Sequence, residues 1–409
     1  MKKKPIKRNT KKQAIRVPYG MTVHGSEEIK AIVKTLKTST QMGTNVFNFE
    51  NKISKLFKKK YGIMVNSGTS ALFLVFEILN LPKGSEVITP ALTFATTVSS
   101  MIKNDLVPSL VDVKDSTYCI DVEKIENNIT KKTRAICVPN LIGNIAEWDK
   151  INNIAKKYNL KIIEDSADTL GGKFLNKPSG HYSDISITSF YGSHVINCAG
   201  NGGMLCLNNK EMVNKAKILR SWGRSSSIFK ESEKIENRFN IKLDRYDYDS
   251  KFVFEELGYN LEPSEIGAAF GLVQLKRLKE NIKKRVRFFN LHQNYFNNYK
   301  HWFKLPKQTR NSYTGWLAYP LIIKKNAPFN RKELQIFLEK RMIQTRVVFT
   351  GNILRQPGFK KQKFKLSKYG YTYADDVMRG GLLIACHHGL NTKMLGHLYS
   401  TLDSFLKKY

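Results

Sequence analysis

Acidic residues are in short supply. The 409-residue chain carries 34 Asp and Glu against 68 Lys and Arg, a formal net charge of +34. Such an excess raises the question of a polyanionic partner. The cations are spread over many segments, among them LFKKKYG, TKKTR, IAKKYNL and NIKKRVR, with no interleaved aromatic pattern. No nucleic-acid partner is assigned on that basis. Cysteine is equally sparse: Cys119, Cys137, Cys198, Cys206 and Cys386 form no C-x-x-C pair. That excludes a disulfide framework and a zinc ribbon and fits a reducing, cytoplasmic setting. Long apolar runs are missing, so no segment reaches the roughly 20 residues a membrane span needs. The opening MKKKPIKRNTKKQAIR has the positive flank of a signal peptide but no apolar core after it. A basic flexible tail over residues 1–20 is expected instead.

What is present is globular. Hydrophobic residues make up 41% and aromatics 11%, and a chain this long calls for one large and one smaller domain. From Ser85 to Leu207, strand-like runs (EVITPALTF, LVPSLVDV, AICVPNLIG, KIIEDSAD, ISITSFYG, GMLCLNN) alternate with helical stretches (TTVSSMIKN, KIENNI, WDKINNIAKKYNL). This pattern predicts an α/β unit with a mostly parallel central sheet, over residues 21–300. SWGRSSSIFKESEKIENRFNIKLDRYDYDSKFVFEELGYNL lacks a sustained period and reads as a long loop or hairpin excursion. The stretch SEIGAAFGLVQLKRLKENIKKRVRFFNLHQNYFNNY reads as a long helix. Residues 301–409 read as a smaller α+β unit with strands near Leu317–Ile323 and Thr345–Phe349 and helices over Arg331–Arg341 and Met394–Lys408.

Three stretches concentrate candidate chemistry at strand exits, where open α/β sheets place ligands. Asn66-Ser67-Gly68-Thr69 is a small-residue turn opening a helix; it suits a phosphate through free N–H groups, or simply an N-cap. In KIIEDSAD, buried isoleucines lead to Glu164, Asp165 and Asp168. A carboxylate there needs donors or a cation, either as a helix cap or as the partner of a protonated ring nitrogen. ISITSFYGSHVINCAGNGG delivers His194 into a glycine-rich loop, as a structural or an acid/base histidine. His387 and His388 beside Cys386 have no matching ligand set, and no metal is assigned.

Together these segments resemble the DegT/DnrJ/EryC1/StrS family of sugar enzymes that use pyridoxal phosphate (PLP). NSGTSAL, EVITPALTF, Val111-Asp112, IIEDSAD, SFYGSH and GYNLEPSEIGAAFGLVQL fall in family order from about Gly43 to the C-terminus. The resemblance implies an aspartate-aminotransferase-like fold (fold type I). It also assigns roles: Gly68, Thr69 and Ser189 on the cofactor phosphate, Phe94 on its ring, Asp165 on its ring nitrogen, and Asn260 reaching the phosphate from the second subunit of a homodimer. His194 stands where the family's aminotransferases carry the PLP-binding lysine. Together with Asp168 and the QTRVVFTGNILRQP stretch, this resembles the C3-dehydratase branch, which removes the C3 hydroxyl of nucleotide-linked 4-keto-6-deoxyhexoses. That branch implies pyridoxamine phosphate (PMP) regenerated from L-glutamate, with His194 moving the proton at the cofactor's C4′ and Asp168 facing the 3-hydroxyl. Ser225, Ser226 and Ser227 follow SWGR where a sub-branch has iron–sulfur cysteines, so no cluster is expected. Arg346 is a candidate for a substrate or glutamate carboxylate, or for a surface salt bridge. Asn201 replaces a glutamate usual in the family. An aminotransferase-like protein with altered or no catalysis, binding sugar nucleotides, is the alternative.

Overall fold

A computed structural model describes residues 15–229, 231 and 233–409. Its centre is a seven-stranded sheet built from β1 (Tyr61–Val65), β2 (Glu86–Pro90), β3 (Val107–Val111), β4 (Thr133–Pro139), β5 (Lys161–Asp165), β6 (Ile185–Ser189) and β7 (Gly203–Leu207). Their spatial order is β1-β7-β6-β5-β4-β2-β3. The pairs β2–β3, β2–β4, β4–β5 and β5–β6 are parallel, whereas β7 runs antiparallel to both neighbours. Strands buried on both faces must be apolar along their whole length, and β7 (GMLCL) is buried at every position.

Helices α1 (Ser26–Thr38) and α2 (Thr44–Leu56) precede the sheet in the chain, and two helical layers cover it. On one face α3 (Gly68–Leu79) buries Ala71, Leu72, Leu74, Val75, Phe76 and Ile78. On the other, α5 (Trp148–Tyr158) turns Trp148, Ile151 and Ala155 inward and leaves its lysines in water. The small residues after β1 start α3 because Ser67 caps it, accepting from the Ser70 N–H. Asn80, in the left-handed region at φ 46°, ends it.

The smaller sheet orders β8 (Phe303–Lys304), β9 (Ala318–Ile323) and β10 (Gly381–Ala385) as β8-β9-β10. Its apolar cluster also takes Phe288, Phe289 and Phe296 from the preceding helix. No helix among the described residues is long and apolar enough to cross a membrane.

Several expectations need correction. The long helix is two, Glu265–Lys276 and Leu278–Asn297, broken at Arg277, whose guanidinium leaves the axis to pair with Glu28. KIENNI forms two 3₁₀ turns rather than an α-helix, because the Asn128 amide is committed to the Leu110 carbonyl. Thr345–Phe349 is not a strand. Only Arg346 bridges to Leu383, and Phe349 takes φ 44°, which ends pairing. The excursion after Ser221 does contain a hairpin, Ile241–Leu243 with Tyr246–Tyr248.

Of the expected flexible tail, residues 1–14 lie outside the described residues. From Val17 onward the expectation fails. Val17 is fully buried, its N–H donates to Met342 O at 2.8 Å and its carbonyl accepts from Gln344 N at 2.9 Å. An apolar side chain with two ladder bonds is ordered by tertiary contacts that charge counting does not register.

Candidate active site

The carboxyl ends of β1, β4, β5 and β6 open into a cavity of about 570 Å³. Its lining includes Gly68, Thr69, Phe94, Asp165, Asp168, Ser189, His194 and Arg346, eight of the nine residues singled out from the sequence. Asn260 is not among them. It lies exposed, paired with Ser221 at the neck of the excursion.

One end of the cavity is the start of α3. The first N–H groups of a helix have no partner within it, and the dipole there favours an anion. The turn approaches β7 so closely that a Cβ on Gly203 would lie 2.1 Å from Ser67 O, so only glycine fits. Ser189 packs against Gly68: a Cβ there would meet the Ser189 Cβ at 2.8 Å.

At the floor, Asp165 closes β5. Its carboxylate accepts from Thr97 Oγ1 at 3.0 Å and from Ala167 N at 3.2 Å. Burial pushes its pKa up to about 6, against the Ala167 and Thr97 hydrogen bonds. Among the described residues no cation pairs with it. Two donors on a buried carboxylate leave room for a third, positively charged one. Phe94 stands beside it as the residue preceding α4 (Ala95–Lys103), 51% exposed and edge-on to Phe349 at 5.8 Å. A largely exposed aromatic face inside a cavity suits a flat ring. The neighbouring Glu164 faces away and is satisfied by Asn140, Ser166 and the Gly180 N–H, which makes it structural.

His194 sits in the loop between β6 and β7. Its Nδ1 lies 3.0 Å from Ser189 O, a carbonyl that only accepts, so Nδ1 carries the proton and Nε2 has a free lone pair. Nε2 is 3.7 Å from Asp168 Oδ1. Burial lowers the His194 pKa to about 4, aided by the Arg285 charge and opposed by the Ser189 bond. Burial raises Asp168 to about 7, against the Ile142 N–H it accepts at 2.9 Å and the Arg285 charge. These shifts make the two an uncharged base beside an acid that holds its proton up to about pH 7.

Arg285 and Tyr19 escaped the sequence reading. Arg285 is fully buried and donates to Trp316 O, Leu317 O and Ser193 O, which ties the His194 loop to the smaller unit. A signal existed: Arg285 falls on the apolar seam Leu278, Ile282, Phe289, Phe296, at helical spacing. Tyr19 lines the cavity with its ring 5.6 Å from the Arg346 guanidinium; the basic run before it masked it. Arg346 is exposed, and its Nη1 donates to its neighbour's carbonyl, Thr345 O, at 2.7 Å. Asn201 is on the cavity wall, while His387 and His388 are committed to Pro18 O and Arg285 Nε. Among the described residues no group of three or more His, Cys, Asp or Glu could hold a metal.

A three-layer α/β sheet of this order, with an anion-ready helix start, a buried carboxylate and a flat aromatic around one cavity, defines an aspartate-aminotransferase-like enzyme. The sequence profile of the DegT/DnrJ/EryC1/StrS aminotransferase family matches residues 23–403, and the chain belongs to that family. It is 33% identical over 402 residues to the lipopolysaccharide biosynthesis protein RfbH of Salmonella typhimurium, covering 95% of this chain and 91% of that one. It is 30% identical over 387 residues to a UDP-4-amino-4,6-dideoxy-N-acetyl-beta-L-altrosamine transaminase of Campylobacter jejuni, covering 93% and 95%. A solved E. coli GDP-4-keto-6-deoxy-D-mannose-3-dehydratase with bound hydrated PLP superposes with a TM-score of 0.86 at 27% identity, covering 95% and 100%.

Proposed function

We propose that the protein is a PLP/PMP-dependent 3-dehydratase that removes the C3 hydroxyl of a nucleotide-linked 4-keto-6-deoxyhexose, with PMP regenerated from L-glutamate. The observation that carries this reading is His194: an imidazole with its Nε2 lone pair directed into the cavity, where a transaminase needs a primary amine.

The cavity fits the cofactor on its own chemistry. Gly68 and Thr69 N–H groups with the Ser189 hydroxyl would hold the phosphate, Phe94 would cover the ring, and Asp165 would keep the ring nitrogen protonated. When bound, the cofactor would supply a primary amine for the sugar's C4 carbonyl and an electron sink for the elimination. His194 Nε2 takes the proton from C4′ and retains only acid/base capacity. Asp168, protonated up to about pH 7, faces the departing C3 hydroxyl and helps it leave as water.

Activity requires a homodimer in this reading, with Asn260 completing the phosphate site of the second subunit. Its support is the apolar surface next to Asn260: Leu257 is 94% exposed and Phe252, Phe254 and Tyr246 are more than half exposed.

The test is direct. PLP and L-glutamate are added to the purified protein, the absorbance spectrum is followed, and nucleotide-linked 4-keto-6-deoxyhexoses are then supplied. The expected result is conversion of PLP to PMP, then loss of one hydroxyl from the sugar by mass spectrometry. A sugar that gains an amino group instead would establish transamination. Binding of sugar nucleotide with neither reaction would establish a non-catalytic relative.

A further inference from the structure

The segment from Val17 to Val23 forms a strap that reaches the cavity at Tyr19 and is fastened on both sides. Toward the smaller unit, Val17 exchanges backbone bonds with Met342 and Gln344, Tyr19 N–H donates to Gln344 Oε1 at 3.2 Å, and His387 Nε2 meets Pro18 O at 2.9 Å. Toward the larger unit, Thr22 Oγ1 donates to Gly192 O at 2.9 Å. Gly20 lies so close to the catalytic loop that an added Cβ would stand 2.6 Å from the Ser193 Cβ. The strap thus spans from the residues beside Arg346 to the residues beside His194.

Between those two anchorages, Tyr19 is directed into the cavity. It lines the same cavity as Gly68, Phe94 and Asp165, so it borders the space in which a molecule would react over the cofactor. Asp168, Arg285 and Arg346 are close enough to act electrostatically on its hydroxyl. Burial first, and then the Asp168 charge, raise its pKa against the pull of the two arginines, so it stays a neutral phenol, which donates and accepts hydrogen bonds.

We propose that Tyr19 is a substrate-positioning residue. Its ring, packed against the Arg346 guanidinium, forms one wall of the sugar subsite, and its hydroxyl hydrogen-bonds the sugar, aligning the C3–O bond with His194 and Asp168. A phenol suits such a wall because it presents a flat, stiff face to a pyranose and costs only two side-chain torsions to order. This rests on the dehydratase reading.

The experiment uses the full chain with Tyr19→Ala, Tyr19→Phe and Gly20→Val, assayed with GDP-, CDP- and dTDP-linked 4-keto-6-deoxyhexoses. PLP affinity is measured in parallel by absorbance titration. Tyr19→Ala is expected to raise KM for the sugar about tenfold or more, and Tyr19→Phe roughly fivefold, the scale of one hydrogen bond. PLP affinity should be unchanged in both. Gly20→Val, which keeps the phenol but pushes the strap off Ser193, should reproduce the KM increase. An unchanged KM in Tyr19→Ala, with a wild-type enzyme that turns the sugar over, overturns the proposal and leaves the dehydratase reading standing. A loss of PLP affinity equal to the KM effect would make Tyr19 merely structural and also overturn it. A wild-type protein inert toward every sugar, and unable to convert PLP with L-glutamate, fails the dehydratase reading itself.

Discussion

The floor and the wall of the cavity are built by different means. The floor (Ser67–Thr69, Asp165–Asp168, Ser189–His194) sits on the ends of parallel strands locked into one sheet. The wall (Tyr19, Leu317, Arg346, Leu383) comes from an extended strap and the smaller unit, joined across distance by a few hydrogen bonds and a buried arginine. Strand ends fix atoms in space, which suits groups that must meet reacting atoms at fixed distances. A wall of short segments can vary its side chains while the sheet keeps its register, which suits substrate choice.

Substitutions at the floor should therefore cost turnover, and those at the wall should cost substrate affinity. The largest effect is expected from His194→Ala. Removing a general base costs about 10²–10⁴-fold in kcat, while PLP binding, read by absorbance, persists. A variant that retained turnover would place the base elsewhere. Next comes Asp165→Asn, which on the proposed reading removes the counter-charge of the cofactor's ring nitrogen and so costs cofactor binding as well as turnover. Breaking such a pair costs about 3 kcal/mol, or roughly a hundredfold in cofactor affinity. An unchanged dissociation constant would show that the ring nitrogen does not meet Asp165.

Subunit complementation sharpens the same division. His194→Ala and Asn260→Ala homodimers should each be nearly inactive. Mixing and reassociating them should restore activity, since one of the two sites in each mixed dimer is then intact. No recovery in a verified mixed dimer would mean that Asn260 serves its own subunit.

The smallest effects are in pH. Turnover should rise as His194 loses its proton near pH 4 and fall as Asp168 loses its own near pH 7. Stability without cofactor responds in opposite senses. Asp165 and Asp168 have raised pKa values, so their contribution is present at low pH and lost as pH climbs toward 6 and 7. Behind the wall, burial lowers His292 and His387 to about 4. Their contribution is present above about pH 6.5 and lost as pH falls through 4. Calorimetric scans should show Asp168→Asn melting above wild type at pH 8 and level with it at pH 4. The opposite order would mean that Asp168 is ionised and paired in the native state.

The floor was legible because its residues obey local rules. A cap opens a helix, isoleucines carry acids to a strand end, and glycine stands where chains nearly touch, as at Gly203. Of the wall only Arg346 was singled out from the sequence; the rest was not legible, because nothing nearby in sequence explains its order. Tyr19 follows a basic run and is held by Gln344, 325 residues away. Arg346 lies where a strand was expected, and the single bridge to Leu383 turns that segment into cavity lining. Arg285 was hidden by a lysine-rich helix whose apolar seam it interrupts. Asn260 matched a motif yet lies outside the cavity of its own chain.

The strap has a consequence for how the protein is made. Every strand of the large sheet ends by Leu207, whereas the strap's partners are Met342, Gln344 and His387, up to 369 residues away from it in the chain. During synthesis the large sheet and the floor of the cavity can form while Tyr19 still has no anchor. A product interrupted between the two would retain the floor and lack the wall.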